Sequence, residues 1–262
     1  MDAVDYIARY YQNYDEDGRL GTRHGMVEFL TTMRYIERYI KPGMKVIEIG
    51  AGTGRYSHAL AHRGFHVDAV ELVEHNIGIF KGHMTQGERV TICQGNATDL
   101  SAFGDESYDI TLLLGPMYHL FEREEQLKAL SEALRVTKKG GIVYAAYCAM
   151  DASILGHGFI RGHIHEILEK CMLDLKTFTA SSNPWDIFEL YRKEDIDGLM
   201  ENFAARRLHY VASDGYANHM RETLANMDEK TFDLFMKYHF VTCERGDMVG
   251  LSHHVLDIFK KE

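Results

Sequence analysis

The twelve residues VIEIGAGTGRYS, 46 to 57, constrain the fold more than any other stretch of this chain. An apolar run carrying one acid, Glu48, breaks into glycines at every second position, Gly50, Gly52 and Gly54, and then into a helix-forming sequence. A short buried strand that turns this abruptly into a helix is the opening half of a βαβ unit. Glycines let the backbone take positive φ and let a ligand approach without meeting a Cβ. Amides freed at the helix start can then donate to an acceptor. A tight turn without a ligand would need the same glycines, so the neighbouring segments decide between the two.

Those segments keep the alternation going. HVDAVEL, RVTICQG, YDITLLLG and IVYAAYC read as strands. Between them lie helices in RYSHALAHRG, around His75 to Met84, and from Phe121 to Val136, which implies a parallel sheet with helices on both faces. Upstream, MVEFLTTMRYIERYI puts Met26, Phe29, Leu30, Met33, Ile36 and Ile40 on one helical stripe, ended by Pro42 and Gly43. After residue 148 the alternation breaks. HIHEILEKCM predicts a helix with Ile164, Ile167, Leu168, Cys171 and Met172 on one face. A helix from Glu194 to Phe203, a strand-like RRLHYVASDG, two amphipathic helical stretches and a last strand in MVGLSHHVLDIFKK follow.

The charge balance narrows the partners. With 29 Lys and Arg against 39 Asp and Glu, the 262-residue chain carries a formal charge of −10 and no long basic run. A nucleic-acid partner is therefore not expected, because such binding leaves a basic face. The first twenty residues hold no apolar signal-peptide core, and no run of 18 apolar residues suggests a membrane span. Cys93, Cys148, Cys171 and Cys243 form no C-x-x-C pair and read as reduced, mostly buried thiols of a cytoplasmic protein.

Glu71 closes the second strand, nineteen residues after Gly52, where a carboxylate can accept both hydroxyls of a ribose. A nicotinamide dinucleotide and S-adenosylmethionine (SAM) both fit that plan. The dinucleotide pattern G-x-G-x-x-G puts its third glycine at position 55, which here is Arg55. The observed pattern is G-x-G-x-G, with Glu48 two residues ahead of it.

At these residues the chain resembles the class I SAM-dependent methyltransferases. VIEIGAGTG is similar to their first motif, VELVEHNI to their second-strand acid and GNATDL to their adenine loop. YDITLLLGPMYHL resembles the fourth strand and its exit, and LRVTKKGGIVYAAY the helix and strand that follow. The resemblance implies a doubly wound, Rossmann-like, seven-stranded α/β sheet, mostly parallel with an antiparallel last strand. It implies one domain: an N-terminal helical lid over 1–43, a cofactor-binding core over 44–148, a substrate-lid insert over 151–190, and the rest of the sheet and helices over 191–262. SAM is the implied cofactor. Gly50, Ala51 and Gly52 would lie under its methionine and ribose, beside Glu48, Thr53 and Gly54 of the same loop. Glu71 would hold the ribose hydroxyls with Leu72 against the adenine. Asn96, where many members have Asp, and Ala97 would meet the adenine edge, and Leu114 and Gly115 would complete the floor. From the N-terminal segment, Tyr11, Tyr14, Arg23 and His24 could cover the sulfonium or pair with the methionine carboxylate.

GPMYHL lies where the fourth strand leaves the sheet, so Tyr118 and His119 would face the transferable methyl or the acceptor. A histidine there suits proton acceptance near neutral pH, or simply bonds a backbone carbonyl. No metal is expected, since His163 and His165 point to different helix faces and His253 and His254 to opposite sides of a strand. The expected activity is methyl transfer to a small-molecule nucleophile by a monomer or homodimer without membrane contact. An RNA- or protein-directed methyltransferase and a non-catalytic SAM-binding regulator share every cofactor motif and remain alternatives.

Overall fold

The structure, a computed structural model, describes residues 3–14 and 16–262. Three helices, α1 (Ala3–Asn13), α2 (Glu16–Gly21) and α3 (Arg23–Tyr39), precede the sheet. The alternating part is β1 (Lys45–Ile49), α4 (Arg55–Ala61), β2 (His66–Glu71), α5 (Glu74–His83), β3 (Val90–Gln94), β4 (Tyr108–Leu113), α6 (Arg123–Val136) and β5 (Thr137–Ala149). The insert carries α7 (Met150–Ser153), a π-helical stretch at Ile154–Ile160, α8 (Ile164–Glu169) and the short strand β6 (Leu190–Tyr191). Then come α9 (Lys193–Met200), β7 (Ala205–Ala212), α10 (Arg221–Ala225), α11 (Glu229–Thr242) and β8 (His254–Lys261).

The strand order is β3-β2-β1-β4-β5-β8-β7, with β1 parallel to both β2 and β4 and β8 antiparallel to β5 and β7. The doubly wound, mostly parallel sheet expected from the sequence is therefore the observed one. It gains an eighth strand, β6, which pairs with the end of β5 at Cys148 and Ala149. Two residues have no period, which is why the sequence does not announce β6. Among the described residues no helix is long and apolar enough to cross a membrane.

Val46, Ile47, Leu112, Val143, Tyr144 and Ile258 form the centre of the core, each sealed from solvent. One charged device crosses it. Asp257 on β8, fully buried, accepts two bonds from Arg207 of β7 at 2.6 and 2.8 Å, and Arg207 also reaches Asp197.

The helix over 26–40 forms as expected, but its predicted stripe does not describe its packing. Met33 and Ile36 are buried, whereas Met26, Phe29, Leu30 and Ile40 are only half-buried and Val27 and Tyr35 are sealed instead. The reason is that α3 is covered on two sides. Val27 packs into a second cluster with Leu224, Phe232 and Met236 from α10 and α11, and Thr31 bonds His239 at 2.9 Å. A single stripe assumes one buried face. The helix predicted through Cys171 and Met172 likewise stops at Glu169, and Cys171 takes φ 55° and is exposed. Cys93 on the edge strand β3 is exposed too, so Cys148 and Cys243 are the buried thiols.

Candidate active site

Strand order reverses at β1 and β4, and in open α/β sheets the crevice beyond the strand ends at that point is where ligands bind. A cavity of about 860 Å³ lies there, near the upper end of the roughly 300–1,000 Å³ usual for small-molecule sites.

One end is built by the glycine loop and the end of β2. Glu48, about 1% exposed, accepts from the Ser57 hydroxyl and so ties β1 to α4 beneath the loop. Burial pushes its carboxyl up to about 8, against the opposing pull of the Ser57 bond. The three glycines act differently. A Cβ on Gly50 would stand 2.5 Å from Pro116 Cδ, and one on Gly54 would stand 2.5 Å from Phe80, so both serve close packing. Gly52 has φ 55° and a Cβ there would meet nothing within 4 Å, which leaves its ligand-facing side open. Its amide donates to Glu71 Oε2 at 2.8 Å, and Glu71 Oε1 accepts from Val73 N at 2.9 Å and Asn76 Nδ2 at 3.3 Å. Burial raises the Glu71 carboxyl above its usual range, with these donors opposing it.

The predicted residues Glu48, Gly50, Ala51, Gly52, Thr53, Glu71, Leu72, Asn96, Ala97, Leu114, Gly115 and Tyr14 all line the cavity, as do Tyr118 and His119. Gly54 does not, because Phe80 and His58 cover it. Arg23 is also elsewhere: it pairs with Glu229 at 2.6 Å and lies over the Phe232 ring, with His24 bonded to Thr22 beside it. Asn96 Oδ1 accepts from Thr98 N at 3.0 Å, so part of its acceptor capacity holds the adenine-loop turn.

The other end is aromatic. Tyr6, Tyr10 and Tyr11 of α1 meet the insert over the cavity: Tyr6 lies edge-on to Trp185 at 5.4 Å and Tyr10 edge-on to Phe188 at 5.9 Å. Met172 and Trp185 line this chamber, while Phe159 points to solvent at 54% exposure. His119 uses both ring nitrogens. Nδ1–H donates to the Ile187 carbonyl at 2.8 Å, and Nε2 accepts from the Tyr11 hydroxyl at 2.8 Å. That assignment follows because a carbonyl can only accept. Burial pushes His119 down to about 4, so the ring is neutral at physiological pH. Tyr118 donates its hydroxyl to the Leu114 carbonyl at 2.5 Å, and burial holds its pKa well above the usual phenol value.

A further cluster at the ends of β5 and β8 escaped the sequence reading. His254 stands opposite Cys148 in the β5–β8 ladder; its Nδ1 lies 3.0 Å from Asp214 and 3.6 Å from Glu28, and Glu28 pairs with Arg19 at 2.8 Å. Burial opposes a charge on His254, but Glu28, Cys148 and Asp214 together hold it as imidazolium. His253 precedes β8, so pleat alternation does not apply to the pair. Their rings lie 5.0 Å apart, and both line the cavity rather than opposite faces of the sheet. Asp214, His253 and His254 bring three ligand-type atoms within 4.8 Å of one another. The Asp214 oxygens already accept from the Ser252 hydroxyl, the His254 amide and His254 Nδ1, so the cationic imidazole occupies the place a metal would take. The elements supplying Glu28, Cys148, Asp214 and His254 are remote in sequence, and no spacing could have joined them.

A Rossmann-like sheet with an acid at the end of β2, an open glycine beside it and a large cavity at the switch point defines an adenosine-cofactor protein. Residues 46–141 match the family model described as a methyltransferase domain. A demethylmenaquinone methyltransferase of Clavibacter sepedonicus is 34% identical over 119 residues, 45% of this chain and 46% of that one. A ubiquinone biosynthesis O-methyltransferase of Pseudomonas syringae pv. tomato is 28% identical over 193 residues, 72% and 81% of the two chains. The chain thus spans about half the length of the first relatives it matches. Among solved structures, a Thermotoga maritima SAM-dependent methyltransferase superposes over the whole of both chains with a TM-score of 0.59 at 18% identity. A Methanosarcina mazei SAM-dependent methyltransferase covers 87% of this chain and 96% of its own with a TM-score of 0.57 at 16% identity. Residues 46–141 thus match a methyltransferase domain, and the relatives and the shared fold support a class I SAM-dependent methyltransferase, a family whose cofactor is SAM. The residues present fit it: the open face of Gly52, the Glu71 carboxylate beside it and the Asn96–Ala97 turn all border one cavity.

Proposed function

We propose that this protein transfers the methyl group of SAM to a small-molecule nucleophile in the aromatic chamber, releasing S-adenosylhomocysteine. The observation that carries the reading is the continuity of the cavity, which joins the Glu71–Gly52 end to the chamber under α1 and the insert. SAM supplies an electrophilic methyl on a sulfonium. The protein's work is then to align the acceptor and exclude water, the contributions that dominate when the leaving group needs no protonation. Glu71 holds the ribose hydroxyls, Gly50 to Thr53 form the floor, and Asn96, Ala97, Leu72, Leu114 and Gly115 enclose the adenosine. Helix α1 with Tyr14 and the 151–190 insert act as the lid. The Tyr118 ring, fixed by its bond to Leu114, walls the acceptor side. His119 is the group able to take a proton there, through Nε2, when an acceptor hydroxyl replaces that of Tyr11. The acceptor is an aromatic or quinone-like hydroxyl compound, which the aromatic lining favours and which the quinone-pathway names of the relatives support.

The test is release of S-adenosylhomocysteine, read by mass spectrometry, on incubating the protein and SAM with catechols, hydroxyquinones, phenols, aliphatic amines and thiols. Turnover restricted to the aromatic hydroxyl compounds is expected. Turnover with amines or thiols alone would reject the acceptor class, and SAM binding without turnover for any acceptor would point to a regulator.

A further inference from the structure

We propose that the acceptor carries an oxyanionic group, a carboxylate or phosphate, held by Arg161 and Arg221 at the end of the cavity remote from Glu71. The proposal rests on the methyltransferase reading and names the substrate class for its acceptor side.

The chain as a whole is acidic, yet cations gather at this end. Arg161 follows the π-helical stretch of the insert, Arg221 opens α10, and both line the cavity together with His253, His254 and Ser153. The other charges there cancel. Arg19 pairs with Glu28, and His254 lies between Glu28 and Asp214. Arg161 and Arg221 have no carboxylate within ion-pair distance among the described residues. Arg221 is instead aimed by a neutral partner, donating through Nε to Asn218 Oδ1 at 2.6 Å. Both arginines are partly open to solvent, which screens their repulsion, but two guanidiniums without a carboxylate partner on one cavity wall leave their donors available to an anion. Their mutual repulsion shows in Arg221, held below the usual arginine range by burial and then by Arg161. The same two guanidiniums help keep His253 neutral after burial, which pushes it down to about 3, and then His254 have acted. His253 Nε2 lies 3.3 Å from the Ser153 hydroxyl, itself donated to the Ala149 carbonyl, which leaves Nδ1 buried with no partner. With Nε2–H donating to Ser153, Nδ1 is an acceptor, and a hydroxyl of the incoming molecule would satisfy it.

Position argues for the acceptor rather than the cofactor. In the order β3-β2-β1-β4-β5-β8-β7, Glu71 ends β2, and His254 begins β8 four strands away, roughly 19 Å at the usual strand spacing. A planar fork pair of this kind suits bidentate capture of carboxylate or phosphate.

The experiment titrates the S-adenosylhomocysteine-loaded protein calorimetrically with 3,4-dihydroxybenzoate, with its methyl ester and with phenyl phosphate. The wild type is compared with Arg161→Met and Arg221→Met. Expected is binding of at least one anion about tenfold or more tighter than the uncharged ester. Each variant should abolish that preference while circular dichroism and affinity for S-adenosylhomocysteine stay unchanged. Preference between the benzoate and the phosphate identifies which oxyanion the site takes. Equal binding of acid and ester, or no binding of either anion, overturns the proposal. So does weakened S-adenosylhomocysteine binding with the anion preference intact, which would assign the arginines to the cofactor's own carboxylate. If S-adenosylhomocysteine itself fails to bind the wild type, the methyltransferase reading fails separately.

Discussion

Glu48→Gln should stabilise the ligand-free protein, and by an amount that grows with pH. In the folded chain burial lifts the Glu48 carboxyl from 4.5 to about 8. The folded state therefore holds a proton that the unfolded state releases once pH passes its ordinary value. A group with a raised folded pKa supports folding fully below its unfolded pKa, and that support is lost as pH rises to the folded one. With these two values the penalty relative to acid pH is about 0.8 kcal/mol at pH 5, about 3.4 at pH 7 and about 4.4 at pH 8. Glutamine has the same shape, cannot ionise, and can still accept from Ser57 through its carbonyl oxygen. The advantage of Glu48→Gln over wild type should thus widen by about 3.5 kcal/mol between pH 5 and pH 8. Urea unfolding of both proteins across that range measures it, and other titrating groups cancel in the difference. A difference that stays flat with pH would refute the reasoning, because it would mean that Glu48 ionises in the folded chain as easily as in the unfolded one.

Arg207→Met should cost about 3–5 kcal/mol by leaving Asp257 buried and unpaired, and Arg207→Met with Asp257→Leu should recover most of that loss in urea melts. Gly50→Ala combines a strained φ of 76° with overlap on Pro116; it should destabilise by about 2 kcal/mol or more and abolish S-adenosylhomocysteine binding, by thermal melting with and without ligand. Because His119 titrates near 4 rather than 6.5, kcat should be flat from about pH 6 to 8, and an inflection near 6.5 would contradict its burial. His119→Phe removes the bond to Ile187 and should lower kcat at every pH in that window without moving an inflection into it.

What the sequence made legible is what repeats on a short period. The βα alternation through Ala149, the glycine loop and the acid closing β2 all follow from local patterning, and the cofactor end of the cavity is assembled from them. Local patterning stops short where distant segments meet. The single stripe expected on α3 differs from its packing because α10 and α11, nearly two hundred residues later, cover a second face. Arg23 read as a cofactor residue by position, but α11 draws it to Glu229 and Phe232. Strand alternation puts His253 and His254 on opposite faces, but the strand begins only at His254. The cation-rich end of the cavity joins residues from α2, the insert, α10 and the start of β8, and no sequence period links those four.

The central claim is that the Glu71–Gly52 end of the cavity holds SAM. Calorimetric titration of the purified protein with SAM, S-adenosylhomocysteine and NAD, repeated on Glu71→Ala, tests it most directly. The account predicts micromolar binding of the first two, none of NAD, and a loss of about tenfold to a hundredfold in affinity when Glu71 is removed. Binding of NAD alone, or full SAM affinity in a folded Glu71→Ala variant, would contradict it.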